Sequence, residues 1–298
     1  MTEEPSIRLR LDVAYDGTGF TGWAKQPGIR TVQGELEAAL ATIFRRYGDP
    51  PVLTVAGRTD AGVHATGQVA HLDLAPTQLK HLATPHGRGD VDPTTMLAKR
   101  LNGIAGLKSD VWVSRVSLAP DGFDARFSPI WRRYEYRIAD AAAARNPLLR
   151  NHTLWYPAPL DLDAMNVASA ELLGLHDWAA YCRPREGATT IRELQEFEWK
   201  RDTEGVLIAR LQADAFCHSM VRALVGAAVS VGEGKLDGER LVGIRGEAQR
   251  TSEFKVMPAH GLTLVEVGYP HDPGARALQT RARREPDAGP TRSGSVAK

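Results

Sequence analysis

The sequence predicts an α+β fold, built as two similar α/β domains with antiparallel-rich sheets. Segments with the alternating pattern of strands are interspersed with segments that have the periodicity of helices along the 298 residues. Hairpins are expected between neighbouring strands, which favours antiparallel or mixed sheets over a parallel sheet. The order of elements is also broadly similar in the two halves of the chain, which indicates two related domains.

The first half opens with a strand followed by a helix. Apolar and charged residues alternate over Ile7–Tyr15, as in an antiparallel strand with one buried face. Thr31 then begins a helix whose apolar stripe runs from Val32 to Ile43, and Gly48 ends it. The same reasoning predicts strands over 50–56 and 67–74, a short helix over 94–104 and a strand over 110–119.

The second half repeats this mixture and ends in a polar tail. Its predicted elements are a strand over 132–138, a helix over 161–175, strands over 191–201 and 205–216, helices over 217–232 and 237–246, and a strand over 261–269. Turn residues cluster over 117–129, so the predicted domains are 1–120 and 121–270. The tail over 271–298 is rich in Arg, Pro, Gly and Ala and is predicted to be disordered.

Composition places the chain among ordinary cytoplasmic proteins. It is 43% hydrophobic and 24% charged, and no apolar run is long enough to span a membrane. The first ten residues, MTEEPSIRLR, contain acidic groups and no apolar core, so they are not a signal peptide. Cys182 and Cys217 have no CxxC spacing and are predicted to be free thiols in a reducing cytosol.

Basic residues concentrate in one part of the chain. Residues 99–150 carry ten Lys or Arg against five Asp or Glu, whereas residues 151–270 carry twelve against seventeen. A basic segment inside a nearly neutral protein is typical of a phosphate-binding surface. Alternatively, these arginines only solvate strand faces.

Two familiar kinds of site are not supported. Gly17, Gly19 and Gly22 have G-x-G-x-x-G spacing after a strand, but Pro27 and Gly28 interrupt the chain before the next helix. In a dinucleotide site the helix follows the glycines directly, so we interpret these glycines as part of a tight loop. A metal site drawn from Asp60, His64, His71 and Asp73 lacks the spacing that places two ligands on one helix face.

The stretch VAGRTDAGVHATGQVAHLDL, residues 55–74, holds the strongest candidate for catalysis. Asp60 lies in a loop between two strands, where functional residues concentrate. The nearby Arg58 would favour the ionised carboxylate, which is a usable nucleophile toward an anomeric carbon. The alternative is a surface ion pair between Arg58 and Asp60 beside a turn.

Five blocks of sequence resemble the TruA family of tRNA pseudouridine synthases, in the same order and over residues 8–270. They are YDGTGFTGW with RTVQGELEAAL, GRTDAGVHATGQV, FDARFSPIWRRYEYRI, FCHSMVRALVG and HGLTLVEVGYP. The resemblance implies a pseudouridine synthase fold around a basic central cleft. It also implies an isomerase that converts uridines 38, 39 and 40 of the tRNA anticodon stem-loop to pseudouridine, as a homodimer without cofactor or metal.

The resemblance also implies roles for single residues. Asp60 matches the catalytic aspartate, which attacks the sugar or the base, and Arg58 matches an arginine that binds near the target nucleotide. Tyr134 matches the tyrosine that packs on the target base, and Arg222 matches an arginine that pairs with the carboxylate. The target uridine must be flipped out, because its reacting atoms are otherwise stacked inside the stem. Three further arginines, Arg126, Arg132 and Arg133, are expected to contact phosphate near the cleft.

The sequence departs from the family pattern at two places. Asp124 stands where many relatives have histidine, and the segment 81–95 looks longer than usual. His218 lies four residues before Arg222 but is not assigned to the site, because it could serve only a local hydrogen bond. Two rival functions are an RNA-binding protein of the same fold without catalysis and, less favoured, a dinucleotide-dependent oxidoreductase.

Overall fold

The computed structural model describes residues 5–83, 91–183 and 189–282. Ten strands form one sheet, in which eight follow one path: Val111–Leu118, Ile7–Tyr15, His64–Leu74, Leu262–Gly268, Trp131–Ala139, Leu207–Ala213, Ile191–Arg201 and Gly174–Asp177. Two short strands lie off this path: Thr54–Val55 pairs with His64–Leu74, and Leu154–Trp155 pairs with Trp131–Ala139. Most pairings are antiparallel, so the predicted α+β class with an antiparallel-rich sheet is confirmed.

The strands are β1 Ile7–Tyr15, β2 Thr54–Val55, β3 His64–Leu74, β4 Val111–Leu118, β5 Trp131–Ala139, β6 Leu154–Trp155, β7 Gly174–Asp177, β8 Ile191–Arg201, β9 Leu207–Ala213 and β10 Leu262–Gly268. The α-helices are α1 Val32–Phe44, α2 Pro76–Ala83, α3 Pro93–Ala105, α4 Leu162–Ala170, α5 Met220–Gly232, α6 Gly238–Glu247 and α7 Pro273–Ala282.

Hydrophobic alternation determines how β1 sits in the sheet. Leu9 and Leu11 are fully buried and pair with Leu72 and Ala70 of β3, so one face of these strands belongs to the core. The stripe of α1 is buried in the same hydrophobic cluster. The helix begins as predicted, because the Thr31 hydroxyl accepts a hydrogen bond from the Gly34 N–H.

One strand from late in the chain joins the two halves. β10 runs parallel to β3 on one side and antiparallel to β5 on the other. Its buried Leu264 packs in the cluster of the N-terminal half, while Leu262 packs in the cluster of the C-terminal half. The sheet therefore continues without interruption across the predicted boundary at residue 120, which itself stays a prediction.

Several local elements differ from the sequence prediction. The helix predicted over 161–175 ends at Ala170, because Gly174 takes a φ of 109° and begins the edge strand β7. Helix α2 was not predicted, and only two residues of the strand predicted over 50–56 pair with a neighbour. These short elements depend on contacts with distant parts of the chain, which periodicity does not report.

The predicted start of the disordered tail, at residue 271, is wrong. Helix α7 occupies Pro273–Ala282, where disorder was predicted from residue 271. The Ser128 hydroxyl donates to the Pro273 carbonyl oxygen at 2.7 Å, and Ala277 is buried. The start of the tail therefore docks on the turn before β5. Residues 283–298 lie outside the described part of the chain.

The two cysteines also differ from the prediction. Cys182 and Cys217 form a disulfide, with their Cα atoms 5.8 Å apart, so the prediction of two free thiols is wrong. This Cα separation is ordinary for a disulfide. Cys182 follows a short 3-10 turn and Cys217 precedes α5, so folding alone brings them together.

No helix within the described ranges combines the length and apolar character needed to cross a membrane.

Candidate active site

The loop that carries Asp60 is packed directly against the loop after β1. The Trp23 N–H donates to the Thr59 carbonyl oxygen at 3.1 Å, and the Gly62 N–H donates to the Phe20 carbonyl oxygen at 3.2 Å. A Cβ at Gly17 would lie 2.1 Å from the Val63 carbonyl oxygen. The glycines after β1 thus allow two loops to touch, as the tight-loop interpretation predicts.

His64 connects three segments behind the loop. Its buried imidazole accepts the Gly17 N–H at Nδ1 over 2.9 Å, and its Nε2 lies 3.1 Å from the His260 carbonyl oxygen. A carbonyl can only accept, so one neutral tautomer with its proton on Nε2 satisfies both contacts. His64 therefore ties the Asp60 loop to the entry of β10.

Buried hydrogen bonds hold the backbone just before Asp60. The Tyr15 and Thr59 hydroxyls lie 2.8 Å apart, and the Gln68 amide donates to the Tyr15 oxygen and to the Gly57 carbonyl oxygen. Burial raises the pKa of Tyr15 to about 12, so its hydroxyl is neutral near pH 7. These bonds hold residues 57–59 against β1 and β3 and leave the Asp60 side chain partly exposed.

The Asp60 carboxylate faces two groups from the N-terminal end of α5. Its Oδ2 lies 3.7 Å from Nη1 of Arg222, and its Oδ1 lies 3.4 Å from Nε2 of His218. About a third of the Asp60 side chain, 34%, is exposed, so an incoming ligand can reach it. Arg222 is itself anchored, because its Nε donates to the Met257 carbonyl oxygen at 2.6 Å.

Arg58 has a different position from the one that the ion-pair alternative requires. It is exposed, and among the described residues Asp60 pairs with Arg222 and His218 and not with Arg58. A surface ion pair with Arg58 therefore does not explain the position of the Asp60 carboxylate. The exposed Arg58 side chain is accessible to a ligand.

Two tyrosines on the same strand face have different roles. Tyr136 is fully buried and donates its hydroxyl to the Pro258 carbonyl oxygen at 2.8 Å, so it belongs to the core. Tyr134 is half-buried and packs edge-on against Phe216, with ring centroids 5.3 Å apart. Burial chiefly raises the pKa of the Tyr134 hydroxyl, and the neighbouring Tyr15 and Asp60 add to this effect. Tyr134 therefore presents a neutral phenol beside the carboxylate.

The three arginines that are expected to bind phosphate, Arg126, Arg132 and Arg133, do not lie on one surface. Arg132 donates to the Ala56 and Asp214 carbonyl oxygens, so it braces the loop. Arg133 pairs with Glu266 and Gln212 on the opposite face of β5, so its expected place near the cleft is wrong. Neighbouring strand residues point to opposite faces. Arg126 is exposed and lies over the Phe127 ring.

The two departures from the family pattern have different outcomes. The buried Asp124 carboxylate accepts the N–H groups of Arg126 and Phe127, so it stabilises the turn before β5. Of the segment 81–95, residues 84–90 lie outside the described part of the chain, while α2 ends at Ala83 and α3 begins at Pro93. His218, which the sequence interpretation left out of the site, contacts Asp60. It lies two residues before α5, which begins at Met220 and not at residue 217 as predicted.

A metal centre is not apparent in the described ranges, where His, Cys, Asp and Glu form no group of three suited to a metal ion. The residues suggested from the sequence are separated: His71 accepts the Ala125 N–H, and Asp73 pairs with Arg8.

Comparison with known proteins agrees with the motifs. A family model described as tRNA pseudouridine synthase matches residues 168–270. A tRNA pseudouridine synthase A of Leifsonia xyli subsp. xyli is 63% identical over 287 residues, which cover 95% of this chain and 99% of that protein. Proteins of the same name from Frankia casuarinae and Mycobacterium leprae are 52% and 50% identical, covering 97% and 95% of this chain and 98% and 99% of those proteins.

The contact between Gly17 and Val63 predicts that a single methyl group will separate the two loops. We expect Gly17→Ala to lower the free energy of unfolding by about 1–3 kcal/mol, because the added Cβ overlaps a backbone oxygen. The matched control is Gly103→Ala in α3, which meets no atom within 4 Å and should be neutral or stabilise by up to about 1 kcal/mol. Urea unfolding measures both; equal stability would contradict the tight contact.

Proposed function

The chain belongs to the tRNA pseudouridine synthase family and is an isomerase, and from this premise we propose that Asp60 is its nucleophile. The substrate uridines are those at positions 38, 39 and 40 of the tRNA anticodon stem-loop. The observation that carries the proposal is the Asp60 carboxylate itself: it is accessible, it is paired with Arg222, and it lies beside a half-buried tyrosine.

The reaction explains why a carboxylate is needed. The N-glycosidic bond of uridine must break, the uracil must turn, and a carbon of the base must bond to the sugar. That carbon loses its proton, and the ring nitrogen released from the sugar takes up a proton. An ionised Asp60 supplies the electron pair for attack on the sugar or on the base, and it leaves again when the new bond is complete. Substrate and product are isomers, so no redox partner or co-substrate enters the balance, and we propose that no cofactor is used.

Arg222 places a permanent positive charge beside the Asp60 carboxylate. A guanidinium is always charged in proteins, and the hydrogen bond from Nε to Met257 holds this one in place. Its Nη1 lies 3.7 Å from Oδ2 of Asp60, so the two groups attract each other. This attraction is proposed to hold the carboxylate in the site before the substrate binds.

Tyr134 is the proposed platform for the flipped uracil. Its ring is held by Phe216, and its cross-strand partners Leu211 and Leu264 are buried. A flipped base gains about 1–3 kcal/mol by stacking on an aromatic ring, which offsets part of the cost of leaving the stem.

The tRNA backbone is proposed to contact exposed arginines at the rim, of which Arg58 and Arg126 are the candidates. We also propose that the protein works in the cytoplasm as a homodimer, with one tRNA touching both subunits. This part rests on the family resemblance, and sedimentation of the purified protein at several concentrations tests the dimer.

The first prediction concerns the nucleophile. Asp60→Asn keeps the shape of the side chain but removes its charge, so we expect no pseudouridine formation, stability within about 1 kcal/mol of the parent and preserved tRNA binding. The matched control is Asp73→Asn, since Asp73 pairs with Arg8 away from the site and should not affect turnover. Primer extension on unmodified tRNA maps the product. If the Asp60→Asn enzyme is folded, binds tRNA and still forms pseudouridine, the nucleophile assignment is wrong.

The second prediction separates stacking from proton chemistry at Tyr134. Tyr134→Ala should lose most activity, because it removes a stacking contact of about 1–3 kcal/mol. Tyr134→Phe keeps the ring and should react nearly as fast if the hydroxyl takes no part. A Phe variant that binds normally yet is inactive would show instead that the hydroxyl has a chemical role. Tyr136→Phe, which removes only a core hydroxyl, controls for loss of stability.

The third prediction locates the RNA surface. Arg58→Ala and Arg126→Ala together should weaken tRNA binding and reduce the slope of log affinity against log salt by about 0.7 to 0.9 for each lost phosphate contact. Arg133→Ala is the control, because this arginine pairs with Glu266 on the other face and should leave the slope unchanged. If only the control changed the slope, the RNA would lie on the opposite face.

A further inference from the structure

His218 contacts the one side chain on which the proposed chemistry depends. Its Nε2 lies 3.4 Å from Oδ1 of Asp60, while Arg222 approaches Oδ2. Each carboxylate oxygen therefore has its own partner. Two contacts at two different oxygens determine the plane of a carboxylate, which a single contact leaves free to turn.

The backbone around His218 is held unusually firmly. The next residue, Ser219, adopts a left-handed conformation with φ 64° and ψ 6°, which is uncommon for a residue with a side chain. The His218 carbonyl oxygen accepts the Arg183 N–H at 2.9 Å, and the preceding Cys217 is bonded to Cys182. Such a conformation persists only where its surroundings over-determine it, and such residues cluster at functional sites.

His218 and Arg222 contribute different kinds of contact. Arg222 supplies a permanent charge, but its distance of 3.7 Å to Asp60 is longer than a hydrogen bond. An imidazole with a proton on Nε2 is a donor in both its neutral and charged forms, and 3.4 Å needs only a small approach to become a good hydrogen bond. Sites often tighten in this way when substrate binds.

We propose that His218 is a positioning residue for Asp60: it donates its Nε2–H to Oδ1 and holds the carboxylate in the orientation for attack. It transfers no proton in this role. With 39% of its side chain exposed, it lies at the edge of the cleft and can close on Asp60 as the uridine enters. The proposal rests on Asp60 being the nucleophile.

The test compares three replacements of His218. The amide nitrogen of His218→Gln reaches the place of Nε2, whereas His218→Leu keeps the bulk without a donor and His218→Asn has a donor that is too short to reach. We expect the Leu and Asn variants to lower the single-turnover rate of pseudouridine formation about 10- to 100-fold, because each loses one hydrogen bond to a charged group. Their tRNA affinity should change little. Gln should recover most of the rate.

Two outcomes would overturn the proposal. Leu and Asn variants that react at the parent rate would show that the contact does not matter. A Gln variant as slow as Leu and Asn would show that His218 acts by titration and not by position. If His218→Leu fails to fold, the comparison of Gln with Asn still decides between these outcomes.

Two controls accompany these variants. His271→Leu removes an exposed histidine beyond β10 and should leave the rate unchanged. Asp60→Asn distinguishes a failure of the His218 proposal from a failure of the nucleophile assignment. If it is inactive while His218→Leu is normal, only the role of His218 fails; if it is active, the nucleophile assignment fails first.

Discussion

The pairing of β10 between β3 and β5 is the constraint on which the site depends. The Asp60 loop belongs to the N-terminal half, whereas Tyr134, His218 and Arg222 come from the C-terminal half. The parallel register that places Thr263 beside His64 brings the two sets together at the end of the loop. Because a shift of one residue would turn every side chain of β10 to the opposite face, the buried Leu262 and Leu264 fix this register firmly.

Buried polar groups then make the loop rigid. Tyr15, Thr59 and Gln68 hold the residues before Asp60, Arg132 donates to Ala56, and His64 connects the loop to His260, two residues before β10. Each of these groups has its hydrogen-bond partner, which a buried polar group requires. These contacts fix the backbone that carries Asp60, the proposed nucleophile, before any ligand binds.

The charges at the site are divided between chemistry and binding. Arg222 donates to the Met257 carbonyl oxygen and faces the Asp60 carboxylate. Arg132 donates to backbone carbonyl oxygens of the loop and of Asp214, and Arg133 pairs with Glu266 on the opposite face of β5. Arg58 and Arg126 are exposed and can meet phosphate. A nearly neutral protein can thus bind a polyanion, because the position of a few charges matters more than their sum.

The sequence by itself determined the fold class, the main helices and strands, the Asp60 loop and the family, because alternation, helical stripes and short motifs are local properties. Only the tertiary structure decided that Tyr136 is core while Tyr134 is half-buried near Asp60, and that Arg132 and Arg133 act on opposite faces. It also decided that His218 joins Asp60, that Cys182 meets Cys217 and that the tail begins as a docked helix. These are contacts between segments far apart in the chain, and they exist only once strand register and helix docking have set which side chains meet.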